Sequence, residues 1–150
     1  MEPENPLLDL YVLEACPVEN PSICFLPTAC GDSEDRIKQF YDAFGKYACQ
    51  PTHLSLFRDP SNCREILDTS DIIYVGGGNT RLMLAIWKVY GVDVLLREAW
   101  ERGTVLCGLS AGAICWFTEG VTDSDGPLVQ MDCLGWLPGS CAVSYTHLRA

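Results

Sequence analysis

Basic residues are scarce. Ten Lys and Arg stand against twenty Asp and Glu, which gives a formal net charge of -10 and a sequence pI of about 4.4. So acidic a chain repels phosphate backbones and anionic lipid headgroups, so neither nucleic acid nor a membrane is an expected partner. Histidine is nearly missing, with only His53 and His147. Neither lies near a cysteine cluster, and the nine cysteines contain no C-x-x-C pair. Zinc is therefore not expected, nor any other metal or cofactor. The cysteine count is odd and the spacing irregular, and Cys24, Cys107 and Cys115 sit inside apolar runs. Reduced thiols acting as small hydrophobes in a cytoplasmic protein account for this most simply. No signal peptide precedes the first apolar run, and no run reaches the ~18 to 20 apolar residues of a membrane span.

What is present suits one globular domain. The chain has 150 residues, 48% of them hydrophobic and 20% charged, enough to bury a core. Two acidic clusters, Glu2, Glu4, Asp9 and Asp32, Glu34, Asp35, read as solvated faces. Leu7, Leu8, Leu10, Tyr11, Val12 and Ala15 recur at helical spacing, between a Pro6 that suits a first turn and a Pro17 that ends it. Residues 22–27 read as a short buried strand and residues 28–32 as a polar loop. Ser33 or Asp32 caps a helix whose apolar positions are Ile37, Phe40, Tyr41, Phe44 and Ala48. Residues 53–57 read as a second strand, 60–69 as a helical piece and 71–75 as a third strand. Residues 81–90 predict a helix that is apolar nearly all round and so well buried. A further helix spans 92–102 and is stopped by Gly103. A fourth strand over 104–108 leads into a helix over 111–117. Strands thus alternate with helices from 22 to 117, which predicts a doubly wound, mostly parallel α/β sheet with helices on both faces. Ligands on such sheets bind beyond the strands' C-terminal ends.

Two stretches fall at such ends. Gly108-Leu109-Ser110-Ala111-Gly112 fits the G-x-S-x-G elbow, in which a serine is held at a sharp strand-to-helix corner with its Oγ exposed. An ordinary βα turn with a helix-capping serine fits the same letters. Gly76-Gly77-Gly78-Asn79-Thr80 follows the third strand. It lacks the third glycine of the dinucleotide fingerprint and has no phosphate-loop lysine. It reads as an anion nest, as half of an oxyanion hole completed by the Ala111 N–H, or as a tight turn before a buried helix.

Together, Tyr74-Val-Gly-Gly-Gly-Asn-Thr80 and Gly108-Leu-Ser-Ala-Gly-Ala-Ile-Cys-Trp116 resemble the dipeptidase E and cyanophycinase family of serine peptidases. The similarity reaches outward through Phe25-Leu-Pro-Thr-Ala29, Asp32-Ser33, residues 54–57 and Cys133-Leu-Gly-Trp-Leu-Pro-Gly139. It covers residues 5 to 140. The resemblance implies a class I glutamine amidotransferase-like fold and hydrolysis of small peptides, in the dipeptidases after an N-terminal aspartate. It implies Ser110 as nucleophile and Gly77, Gly78 and Ala111 as oxyanion donors. The acid it implies is Asp125, with Asp123 and Glu119 as rivals; the surrounding Asp-Ser-Asp-Gly is also plain turn chemistry.

The base is the departure from the pattern. Ser144 occupies the position where the family carries its histidine, His147 stands three residues late, and His53 reads as structural. The tail from Ser144 to Ala150 resembles translated adaptor sequence. The resemblance thus implies a partial peptidase E-like domain over 1–140, incomplete at both ends, and a foreign tail over 141–150. Such a chain, lacking its base, is expected to be nearly inactive. Two alternatives to the dipeptidase reading are a cyanophycinase-like amide hydrolase and a non-catalytic glutamine amidotransferase-like protein that binds a ligand.

Overall fold

The computed structural model describes residues 6–142. Four short segments, β1 (Ser22–Leu26), β2 (Gln50–His53), β3 (Ile72–Val75) and β4 (Val105–Gly108), pair in parallel in the order β2-β1-β3-β4. Side chains alternate across the sheet, and both faces are covered. Ile23 and Phe25 of β1 and Ile72 and Tyr74 of β3 pack with Phe40 and Phe44 on one face. Cys24, Leu26, Ile73 and Val75 pack with Met83, Trp87, Leu96 and Ala99 on the other. Strands buried on both faces read as continuous apolar runs rather than alternating ones, which is why β1 and β3 were visible in the sequence.

The helices are α1 (Leu7–Glu14), α2 (Glu34–Phe44), α3 (Cys63–Asp68), α4 (Thr80–Tyr90), α5 (Val92–Glu101) and α6 (Ala111–Ile114). A second sheet of β5 (Phe117–Thr122), β6 (Val129–Asp132) and β7 (Leu137–Cys141) follows, in the order β6-β5-β7, with β5–β6 antiparallel and β5–β7 parallel. The chain runs from β1 out to β2 and then returns across β1 to β3. The strand order therefore reverses between β1 and β3, and a crevice opens at such a reversal.

Several elements depart from the sequence reading. β2 lies three residues earlier than expected, and Leu54 and Leu56 are core residues of the loop after it. As an edge strand β2 tolerates Pro51. Ser33 takes the N-cap position of α2 but makes no side-chain capping bond, and Ala48 lies beyond the helix, which ends before Gly45. α4 is not buried all round: Leu82, Val89 and Tyr90 are exposed, and only Thr80, Met83 and Trp87 are buried. α6 is a single turn of four residues, because Phe117 already belongs to β5.

The acidic clusters are not uniformly solvated. Asp9 and Asp32 are 5% and 3% exposed. Asp32 sits at φ 56° after the 3-10 turn Thr28–Cys30, and its Oδ2 accepts the Phe57 N–H at 2.8 Å. It ties the loop after β1 to the loop after β2. In α1 the buried side chain is Asp9, while Leu7, Leu8 and Tyr11 face outward.

Candidate active site

Ser110 is placed by the end of β4 and the single turn of α6. The Leu109 N–H donates to the Val75 carbonyl at 3.2 Å, so the corner leaves the sheet one residue past the ladder. Ala113 N–H and Ile114 N–H both donate to the Ser110 carbonyl, at 2.9 and 3.0 Å, and start the helix. Between these anchors Ser110 is forced to φ 52° and ψ -115°. A residue with a Cβ rarely adopts that conformation, which costs of order 1–3 kcal/mol and persists only where the surroundings impose it. The two glycines of the elbow allow the contact that imposes it. A Cβ on Gly108 would stand 2.6 Å from the Val75 oxygen, and one on Gly112 would fall on that same carbonyl. The corner is therefore pressed against the end of β3. The ordinary turn with a capping serine is corrected here, since the Ser110 side chain makes no cap hydrogen bond to its helix.

The glycine loop comes off β3, the neighbouring strand, and meets Ser110. A Cβ on Gly77 would lie 3.1 Å from Ser110 Cβ, and Gly78 takes φ 142° against the Ala29 carbonyl. Gly76 N–H donates to Leu26 O at 3.0 Å and Asn79 N–H to Ala29 O at 2.8 Å, closing the loop at both ends. Between them, the N–H groups of Gly77 and Gly78 donate to no backbone carbonyl among the described residues, and neither does the Ala111 N–H at the start of α6. Gly76, Gly77, Gly78, Leu109 and Ser110 line one crevice of about 270 Å³ together with Phe25, Cys30 and Arg36.

The expected acids lie elsewhere. Asp123 and Asp125 are in the turn between β5 and β6, which Gly126 closes by donating its N–H to the Asp123 carbonyl at 2.9 Å. That turn docks on the N-terminus of α4. Ser124 Oγ accepts the Thr80 N–H at 2.9 Å, and Asn79 Nδ2 donates to the Ser124 carbonyl at 2.9 Å. Asp125 pairs with Arg81 and is half exposed. Glu119 is on β5 opposite Asp132. Neither Asp123, Asp125 nor Glu119 lines the crevice that holds Ser110.

His53 lies at the end of β2, three strands from β4 in the sheet order. At about 4.8 Å per strand that is roughly 14 Å from the Ser110 corner. Its Nδ1 is bonded instead to Tyr41 Oη at 2.8 Å, and burial holds its pKa below the ordinary value. Ser144 and His147 lie outside the described residues, as does all of the tail beyond Ala142; Cys141 ends β7.

Arg36, in the first turn of α2, is a crevice residue that the motifs did not reveal. In sequence it sits among Glu34, Asp35, Lys38 and Gln39, which look like one solvated helix face. Its position just after the loop at the C-terminal end of β1 was the available signal.

Fold and site together define an α/β protein with a glutamine amidotransferase-like fold that carries a strained serine at a strand-to-helix elbow beside a glycine loop. The chain belongs to Peptidase family S51, whose match runs over residues 1–148. It is 55% identical over 146 residues to the uncharacterized peptidase YgaJ of Bacillus subtilis (strain 168), covering 97% of this chain and 64% of that one. It is 32% identical over 97 residues to peptidase E of Shewanella sp. (strain W3-18-1), covering 63% of this chain and 41% of that one. The crystal structure of a peptidase from an acI-B1 Actinobacterium shares the fold with a TM-score of 0.68 at 19% identity, covering 90% of this chain and 61% of that chain. The chain therefore spans less than two thirds of the length of each of these proteins. Among the described residues no helix is long and apolar enough to cross a membrane.

Proposed function

We propose that the protein is a serine peptidase of the dipeptidase E type, acting in the cytoplasm on short peptides, with N-terminal aspartyl peptides as the first class to try. The observation that carries this reading is the backbone of Ser110, at φ 52° and ψ -115°, facing the open N–H groups of the neighbouring glycine loop. Ser110 Oγ attacks the peptide carbonyl. The negative charge that develops on the carbonyl oxygen is met by N–H donors from Gly77, Gly78 and Ala111, in a corner where such donors need no rearrangement. Collapse expels the amine and leaves an ester on Ser110, which water then hydrolyses.

The base that takes the Ser110 proton comes from outside residues 6–142, because His53 is across the sheet and held by Tyr41. The acid that orients the base comes from the turn docked on α4: Asp125, with Asp123 beside it. On this reading the 150-residue chain, with Ser144 where the family pattern has histidine, turns over slowly. Placing histidine at position 144 raises turnover.

The test is hydrolysis of aspartyl p-nitroanilide by the whole protein and by Ser110→Ala. The expected result is loss of most turnover with an unchanged circular-dichroism spectrum. Retained turnover in that variant removes the assignment.

A further inference from the structure

We propose that Arg36 is the specificity residue of the Ser110 crevice and recognises a carboxylate carried by the substrate. This rests on the peptidase reading of the crevice above. Acids outnumber bases two to one in this chain, with 20 Asp and Glu against 10 Lys and Arg, so an arginine has no shortage of partners. Arg58, Arg64, Arg81, Arg97 and Arg102 each stand within ion-pair distance of a carboxylate. Arg36 is the one arginine among the described residues with no such pair. Its Nη1 donates to Gln39 Oε1 at 3.1 Å, one turn further along α2. That single bond steadies the side chain and leaves the rest of a planar five-donor fork for a bidentate acceptor.

The location gives the unpaired cation a use. Arg36 lines the same crevice as Ser110 and the glycine loop. It is the only charged side chain among the described residues lining that crevice. The nearby acid Glu34 is turned to Arg58, at 2.6 Å. A guanidinium in a crevice of an otherwise acidic protein offsets the repulsion that an anionic substrate meets on approach. It also pairs with a carboxylate in a fixed orientation, which sets which carbonyl is presented to the nucleophile.

Two carboxylates of a short peptide offer the same chemistry: an acidic side chain and the C-terminal group. Three substrates separate them. Aspartyl p-nitroanilide carries only the side-chain carboxylate, alanyl-leucine only the C-terminal one, and alanyl p-nitroanilide neither. Each is assayed with the whole wild-type protein, Arg36→Gln and Arg36→Lys. Arg36 is exposed, so its variants are expected to melt with the wild type, and the melt is measured alongside.

For the carboxylate that Arg36 binds, Arg36→Gln lowers kcat/KM by about tenfold or more, mainly through KM, the low end for a charged hydrogen bond at a solvated site. Arg36→Lys recovers part of the loss, and alanyl p-nitroanilide is unaffected. Loss confined to the aspartyl amide assigns the side-chain carboxylate, and loss confined to alanyl-leucine assigns the C-terminal one. Equal loss on all three substrates, or none on any, overturns the proposal. If the wild type hydrolyses none of them, the peptidase reading fails, and calorimetry judges Arg36 separately. Aspartyl-leucine and asparaginyl-leucine amide are then titrated into wild type and Arg36→Gln. About tenfold weaker binding of the first alone sustains the proposal; equal affinities, or no binding by the wild type, overturn it.

Discussion

At the scale of single residues, burial rather than catalysis explains most of the perturbed ionisations. Burial lowers the His53 pKa below 6.5; the charge of Asp32 offsets this in part, and that of Arg58 adds to it. A folded-state pKa below the unfolded one means that, as pH falls through 6.5, the unfolded chain takes up a proton that the folded chain refuses. Stability attributable to His53 is thus present above 6.5 and is lost as pH drops below it. The urea midpoint should fall more between pH 7 and pH 5.5 in the wild type than in His53→Gln, and equal falls would show that the ring titrates freely. The thiols behave alike for the same reason. Burial pushes Cys24 up to about 12, and burial together with the charge of Asp9 does the same for Cys107. Cys24, fully buried, should resist iodoacetamide in the native protein and react after unfolding, as read by peptide mass spectrometry. Rapid native alkylation of Cys24 contradicts that burial.

At the scale of elements, the elbow is the part where letter and geometry agree most closely. The spacing of Gly108 and Gly112 around Ser110 predicted a close approach of main chain to main chain, and the Val75 carbonyl is what they approach. Gly112→Ala places a methyl on that carbonyl. It should destabilise the fold by about 1–3 kcal/mol, the usual range for overpacking, and abolish turnover together with the displaced Ser110. A denaturant midpoint within error of wild type contradicts this. The strands β1, β3 and β4 were legible because each is a short apolar run ending in a loop. β2 was not: Gln50-Pro51-Thr52-His53 is polar, and its partner β1 recruits it as an edge. The apolar Leu54 and Leu56 beside it drew the reading three residues too far along. β5 passed unnoticed because Phe117 and Val121 are its only large apolar side chains, and β6 and β7 because they are mostly exposed, so no apolar run or alternation marks them. Of the candidate site, Ser110 and the glycine loop were readable because backbone conformation dictates glycine. Arg36 was not readable, because a helix surface hides which of its charges faces a crevice.

At the scale of the whole molecule, four tryptophans join the two sheets. Trp116 stands 6.2 Å from Trp87 on α4 and 5.4 Å from Trp136, just before β7, and Trp136 stacks on Trp100 of α5 at 5.9 Å. Arg97 caps the stack over Trp100 and Trp136. Trp87 Nε1 in turn donates to Thr28 Oγ1 at 3.2 Å, which carries the packing to the loop that edges the crevice. Trp116 is 8% exposed, so Trp116→Ala should lower stability by about 3 kcal/mol. A loss below about 1 kcal/mol in denaturant unfolding would show that the second sheet holds its place without this cluster.

The central claim is that the Ser110 elbow is a working nucleophile site. It is tested most directly by treating the whole protein with a fluorophosphonate, which transfers its phosphorus to an activated serine, and mapping the adduct by mass spectrometry. The account predicts one adduct, on the peptide containing Ser110, absent from Ser110→Ala and suppressed by a competing short peptide. No adduct at Ser110, or an adduct that persists in Ser110→Ala, contradicts it.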